Sequence, residues 1–248
     1  MNCIEYGTEH RKVILLLHGG GLSHWNYRKQ AQLLADKYHV VLPILDGHAG
    51  ADHPFTSIEE NAARLIRYID EHFGGSVQLL GGLSLGAQVA LEMLSQRRDI
   101  CRCALIESAC VIPSPLTHAL IAPAFGSCYG LIAKRWFAQL QFRSLRMENS
   151  LFEDYYTATC GISRENLIAF TQANAVYAPK PSLADSTADV HLFVGEKESR
   201  VMHRSASLLH AMLPHSTLTT LPSLHHGHFS LNHPDAYADE VLRILSNA

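Results

Sequence analysis

Six short apolar runs punctuate the chain: Val13–Leu17, Val40–Leu45, Val77–Leu80, Cys103–Ile106, His191–Val194 and Leu218–Leu221. Each is rich in Val, Ile or Leu and largely unbroken by polar residues, the pattern of a strand buried on both faces. Amphipathic stretches of helical length lie near residues 26–37, 58–73, 86–97, 200–213 and 235–246. In the second, Ser57-Ile58-Glu59-Glu60 is a capping-box pattern ahead of Ala62, Leu65, Ile66 and Ile69 at helical spacing. The alternation predicts an α/β fold, a mostly parallel central sheet with helices on both faces. A chain of 248 residues fits one such domain, spanning residues 1–248.

Between residues 113 and 182 the alternation stops. Pro113, Pro115, Pro123, Pro179 and Pro181 mark the ends, and the interior reads as helical. Leu131, Ile132, Phe137 and Leu140 form one stripe, and Leu167, Ile168 and Phe170 begin another. A helical insertion between two sheet strands predicts a cap or lid over the site. Lys134, Arg135, Arg143 and Arg146 cluster there with no acid before Glu148; a solvated helix face explains them better than recruitment of an anionic substrate. The aromatic side chains of Trp136, Phe137, Phe142, Tyr155, Tyr156 and Tyr177 suit an apolar pocket, or packing of the cap onto the core.

With 47% hydrophobic and 17% charged residues, the composition is that of a globular rather than a disordered chain. A formal net charge of −3 gives no electrostatic reason to expect nucleic acid or a membrane as partner. The N-terminal residues show no basic-then-apolar leader pattern, and no apolar run approaches the roughly 20 residues of a membrane-spanning helix. The six cysteines include no C-x-x-C pair, which fits reduced thiols and a cytoplasmic location.

The chemistry concentrates in two glycine-rich segments. Gly82-Leu83-Ser84-Leu85-Gly86 fits G-x-S-x-G, directly after the strand at Val77 and directly before a helical run. Small residues two before and two after the serine let strand and helix backbones nearly touch. The sharp turn then presents Ser84 Oγ above the sheet at the positive end of a helix. His18-Gly19-Gly20-Gly21 ends the first strand, and its bare backbone N–H groups suit stabilisation of a developing oxyanion. No Lys-Ser/Thr pair follows, so a phosphate loop is disfavoured.

With these two motifs, and with Asp46-Gly47-His48-Ala49-Gly50 after the second strand, the chain resembles the α/β-hydrolase family over essentially its whole length. The resemblance implies oxyanion donors at the backbone N–H of Leu85 and of Gly20 or Gly21. It also implies a triad in the chain order serine, acid, histidine. The acid position, three residues after Gly195, holds Glu198 where the family usually has Asp; Glu107 at the end of the preceding strand is the second candidate. The base comes from Leu224-His225-His226-Gly227-His228-Phe229-Ser230, where one family spacing selects His226 and another His228. We favour Glu198 and His226, with His225 facing away. Metal binding by His225, His226, His228 and His233 fits no common zinc spacing, and no cofactor is implied.

The expectation is a serine hydrolase that cleaves a small carboxylic ester or thioester through an acyl-enzyme on Ser84. A lyase or C–C hydrolase on the same fold, and a triad-bearing protein that binds a small molecule with little turnover, are the alternatives. A purely structural role would leave both glycine motifs without purpose.

Overall fold

The six apolar runs all form strands in the computed structural model, which describes residues 1–247. They are β2 (Val13–Leu17), β3 (His39–Pro43), β4 (Val77–Leu83), β5 (Cys101–Glu107), β6 (Asp189–Gly195) and β7 (Ser216–Leu221). A seventh, β1 (Cys3–Tyr6), was not predicted: it is short, lies at the sheet edge, and carries Glu5, which bonds His39 and Tyr68. The order is β1-β3-β2-β4-β5-β6-β7, with β1 antiparallel to β3 and every other pairing parallel.

The predicted helices follow closely. They are α1 (Arg28–Leu34), α2 (Ile58–Phe73), α3 (Leu85–Gln96), α8 (Arg200–Met212) and α10 (Pro234–Asn247). Ser57 caps α2, its hydroxyl accepting from the Glu60 amide at 3.1 Å, and Gly74 ends the helix in the left-handed region at φ 68°. Strand alternation divides the core. Leu15, Leu17, Leu80 and Ile106 pack under α2 and α3 on one face, while Ile14, Leu16, Leu79 and Leu105 pack under α1 and α10 on the other.

Between β5 and β6 the chain builds α4 (Pro115–Ile132), α5 (Arg135–Leu145), α6 (Phe152–Cys160) and α7 (Arg164–Val176). Polar contacts tie this insertion to the sheet side, among them two clamps. Arg28 donates both Nη groups to the Asp154 carboxylate at 2.9 and 3.2 Å, and Asn166 Oδ1 accepts from the Phe55 amide at 3.0 Å. A short helix, α9 (His228–Asn232), precedes α10. Among the described residues, no single helix is long and apolar enough to cross a membrane.

Candidate active site

In a parallel sheet the carboxyl ends of the strands open onto the crevice where ligands bind, and the predicted site residues gather there. Ser84 stands between β4 and α3 with φ 52° and ψ −110°, a strained backbone for a residue with a side chain. The flanking glycines explain why the turn closes. A Cβ on Gly86 would run into the carbonyl oxygens of Leu17 and His18, and one on Gly82 into the carbonyl of Gly86. The Ser84 amide is fixed by donating to the carbonyl oxygen of Glu107 at 2.9 Å.

Glu198 and His226 meet. His226 Nδ1 lies 2.8 Å from Glu198 Oε2, and the ionised carboxylate is acceptor-only, so Nδ1 carries the proton in this contact. The other oxygen, Oε1, accepts from the Gly195 amide and the Ser108 hydroxyl, both at 2.8 Å. The Glu198 side chain is fully buried, whereas that of His226 is about half exposed. Burial acts to raise the Glu198 pKa; His226 and the Gly195 and Ser108 donors outweigh it, and the pKa falls below the usual value.

The two alternatives raised by the sequence are placed differently. His228 is buried one turn away, its ring 5.1 Å from that of His225, and burial lowers its pKa. The separation begins at Gly227, whose left-handed φ of 73° turns the chain between the two histidines. His225 bonds Arg146 Nη1 at 2.8 Å. Among the described residues Glu107 forms no hydrogen bond or ion pair with a histidine. Its Oε1 instead accepts from the amides of Phe229 and Ser230, at 3.1 and 3.2 Å, while Oε2 has no partner. Burial raises its pKa to about 7.

Of the two glycines proposed for the oxyanion site, Gly21 is occupied. Its amide donates to His48 Nε2 at 3.1 Å. His48 can accept because its Nδ1 faces the carbonyls of Leu45 and Asp46, and because burial holds its pKa down at about 4. The ring is stacked on Phe170, with centroids 4.5 Å apart. The amides of Gly20 and Leu85 have no protein acceptor among the described residues. Both residues lie together, since a Cβ on Gly20 would touch the Leu85 side chain at about 3.5 Å.

Sequence reasoning passed over Ser108 and His48 as functional positions. Ser108, at φ 56°, follows β5 and touches both Glu198 and the Gly227 amide; a lone serine after a strand carries no pattern that marks it. His48 was visible only as part of the Asp46–Gly50 loop.

Ser84, His226, Gly20 and Gly21 line one cavity of about 300 Å³ that residues of the insertion also line. Phe125, Ile132, Leu145, Tyr155, Leu167 and Phe170 form most of its apolar wall, and no Asp, Glu, Lys or Arg lines it. Tyr155 alone of the six aromatic residues predicted for the pocket reaches it. Phe142 is buried against Phe152 and Tyr155, and Trp136 is exposed. Among the described residues no group of three or more His, Cys, Asp or Glu is arranged to hold a metal ion.

Comparison with known proteins bears on the family and the fold. The model of the alpha/beta hydrolase family matches residues 14–240. A probable alcohol acetyltransferase of Cyberlindnera fabianii is 30% identical over 109 residues, 42% of this chain; the chain spans only 29% of that relative's length. The enol-lactonase from Burkholderia xenovorans LB400 superposes with a TM-score of 0.84 at 14% identity, covering 99% of this chain and 96% of its own. The esterase from Exiguobacterium antarcticum gives 0.81 at 16% identity, covering 99% and 94%. At such identities the two structures speak to the fold alone.

Proposed function

The chain belongs to the alpha/beta hydrolase family, and from that premise we propose that it is a serine hydrolase cleaving a small, uncharged, apolar ester or thioester through an acyl-enzyme on Ser84. The observation that carries this reading is the His226 Nδ1–Glu198 Oε2 contact of 2.8 Å, with His226 and Ser84 lining one cavity. With Nδ1 donating to Glu198, Nε2 of the neutral ring holds the free lone pair a general base needs.

His226 Nε2 takes the Ser84 proton as Oγ bonds to the acyl carbon. The carbonyl electron pair moves onto oxygen, and the free amides of Gly20 and Leu85 receive that charge. Collapse of the tetrahedral species breaks the bond to the leaving group, which takes the proton from His226. Water then attacks the acyl-enzyme, giving its proton to the same nitrogen, and Ser84 leaves reprotonated as the carboxylic acid departs. Glu198 orients the ring and stabilises its charged form. The helical insertion acts as a cap, and the absence of charge from the cavity wall supports a neutral substrate.

Labelling with a fluorophosphonate probe tests the assignment. We expect the intact chain and His228→Ala to label, Ser84→Ala not to label, and His226→Ala to label at least 100-fold more slowly. Equal labelling of Ser84→Ala, or loss of labelling in His228→Ala with His226→Ala unaffected, overturns it.

A further inference from the structure

Helix α4 contains no charged residue in 18 positions. A helix of that composition belongs in a protein core or against lipid, yet only Ile121 and Ile132 are buried along it. It turns Leu116 and Leu120 outward at 72% and 57% exposure, with Leu131 further along the same face. After a 120° bend, α5 adds Trp136 and Leu140 at 62% and 60%. Of ten large apolar side chains left exposed among the described residues, six lie within residues 116–145. The excess is therefore local.

Charge is distributed as unevenly. No Asp or Glu occurs between Ser108 and Met147, whereas Lys134, Arg135, Arg143 and Arg146 all do, in a chain whose net charge is −3. Arg135 pairs with Glu153 and Arg146 with His225. Lys134 and Arg143 have no acidic partner among the described residues. The expectation of no membrane partner rested on net charge and on the lack of a long apolar run, with this cluster read as a solvated helix face.

We propose that the α4–α5 face docks the protein onto the surface of an anionic phospholipid bilayer. Exposed leucines and a tryptophan fit the boundary of the acyl chains, and the adjacent basic side chains reach the phosphates. The sharp bend suits an elbow lying in the interface rather than a span. Pairing of this face with a second copy of the chain by two-fold symmetry would oppose the same unpaired cations, which disfavours that occupant. The docking face is also the outer side of the cavity roof, since Phe125 and Ile132 of α4 and Leu145 of α5 line the cavity. An apolar ester dissolved in the bilayer would thus meet the protein at a wall of the cavity that Ser84 also lines. This last link rests on the hydrolase reading; the docking itself does not.

Co-sedimentation of the full chain with vesicles tests the proposal, comparing pure phosphatidylcholine with phosphatidylcholine containing phosphatidylglycerol. Binding is expected on the anionic vesicles, weakening as salt is raised. Trp25 is buried and Trp136 exposed, so binding should also shift the fluorescence of Trp136 to the blue, and Trp136→Phe should remove that shift. Lys134→Gln with Arg143→Gln should weaken binding about 30-fold, at roughly a factor of 5 or more per charge. Leu116→Ser with Leu120→Ser and Leu140→Ser should abolish it with the thermal transition preserved. Ser84→Ala should bind like the native chain, which separates docking from catalysis. No binding to anionic vesicles at low salt, binding unchanged in both sets of variants, or a dimer in solution that the leucine variants dissociate would overturn it.

Discussion

At the residue scale the site is joined through two consecutive positions. The Glu107 carbonyl holds the Ser84 amide, the Glu107 carboxylate holds the amides of Phe229 and Ser230, and the Ser108 hydroxyl reaches both Glu198 and the Gly227 amide. The residue read from sequence as a possible acid thus contacts the loop of the histidine rather than its ring. Burial lifts its pKa from the ordinary 4.5 to about 7. A raised carboxyl pKa means that the folded protein keeps a proton the unfolded chain loses. The resulting stability is complete below about pH 4.5 and is lost as pH rises through about 7. Glu107→Gln keeps an oxygen for the two amides and removes the titration. Denaturant unfolding should show native stability falling by about 3 kcal/mol between those limits relative to the variant. Parallel profiles for the two proteins would contradict this account of the burial.

At the scale of elements, the elbow depends on β2, β4 and α3 approaching closer than any side chain allows. Gly86 is the tightest point, its missing Cβ facing the backbone carbonyls of Leu17 and His18 at the end of β2. Backbone cannot step aside as a side chain can, so Gly86→Ala should cost about 3 kcal/mol and lower Tm by roughly 6–12 °C. Gly130 in α4 is the control, since a Cβ there meets nothing within 4 Å. Gly130→Ala should leave Tm unchanged or raise it slightly. Equal changes in the two variants would show that the close approach does not set the requirement at Gly86. The insertion obeys a different logic. Its helices are held to the sheet side by polar clamps, Arg28 to Asp154 and Asn166 to the Phe55 amide, and leave an apolar face outside.

At the scale of the whole molecule, sheet and insertion enclose a cavity at the small end of the range for ligand pockets, with no charge on its wall. The size predicts a preference for short acyl chains, and the burial of uncompensated charge predicts rejection of anionic ones. In a series of acyl esters, kcat/KM should fall once the chain outgrows the cavity. An ester bearing a terminal carboxylate should react at least tenfold more slowly than its neutral counterpart. A steady rise with chain length, or a preference for the anionic ester, would show that the insertion opens well beyond the observed volume.

The strands and the main helices were legible from the chain because each depends on local periodicity and capping. Val13–Leu17 has to be buried on both faces, and Ser57 to Ile69 can bury its apolar stripe only as a helix. The elbow was legible for the same reason, since G-x-S-x-G between a strand and a helix is a local steric solution. Tertiary structure alone decided which partners face it. His226 and His228 are two residues apart with the same chemistry, and only the turn at Gly227 sends one toward Glu198 and the other into the packing beside His225. Gly20 and Gly21 are chemically identical, and only the arrival of His48 from another loop occupies one amide. Local patterns determine elements because neighbouring residues share a backbone. Partnerships across 28 residues, as between Glu198 and His226, depend on where the folded chain returns.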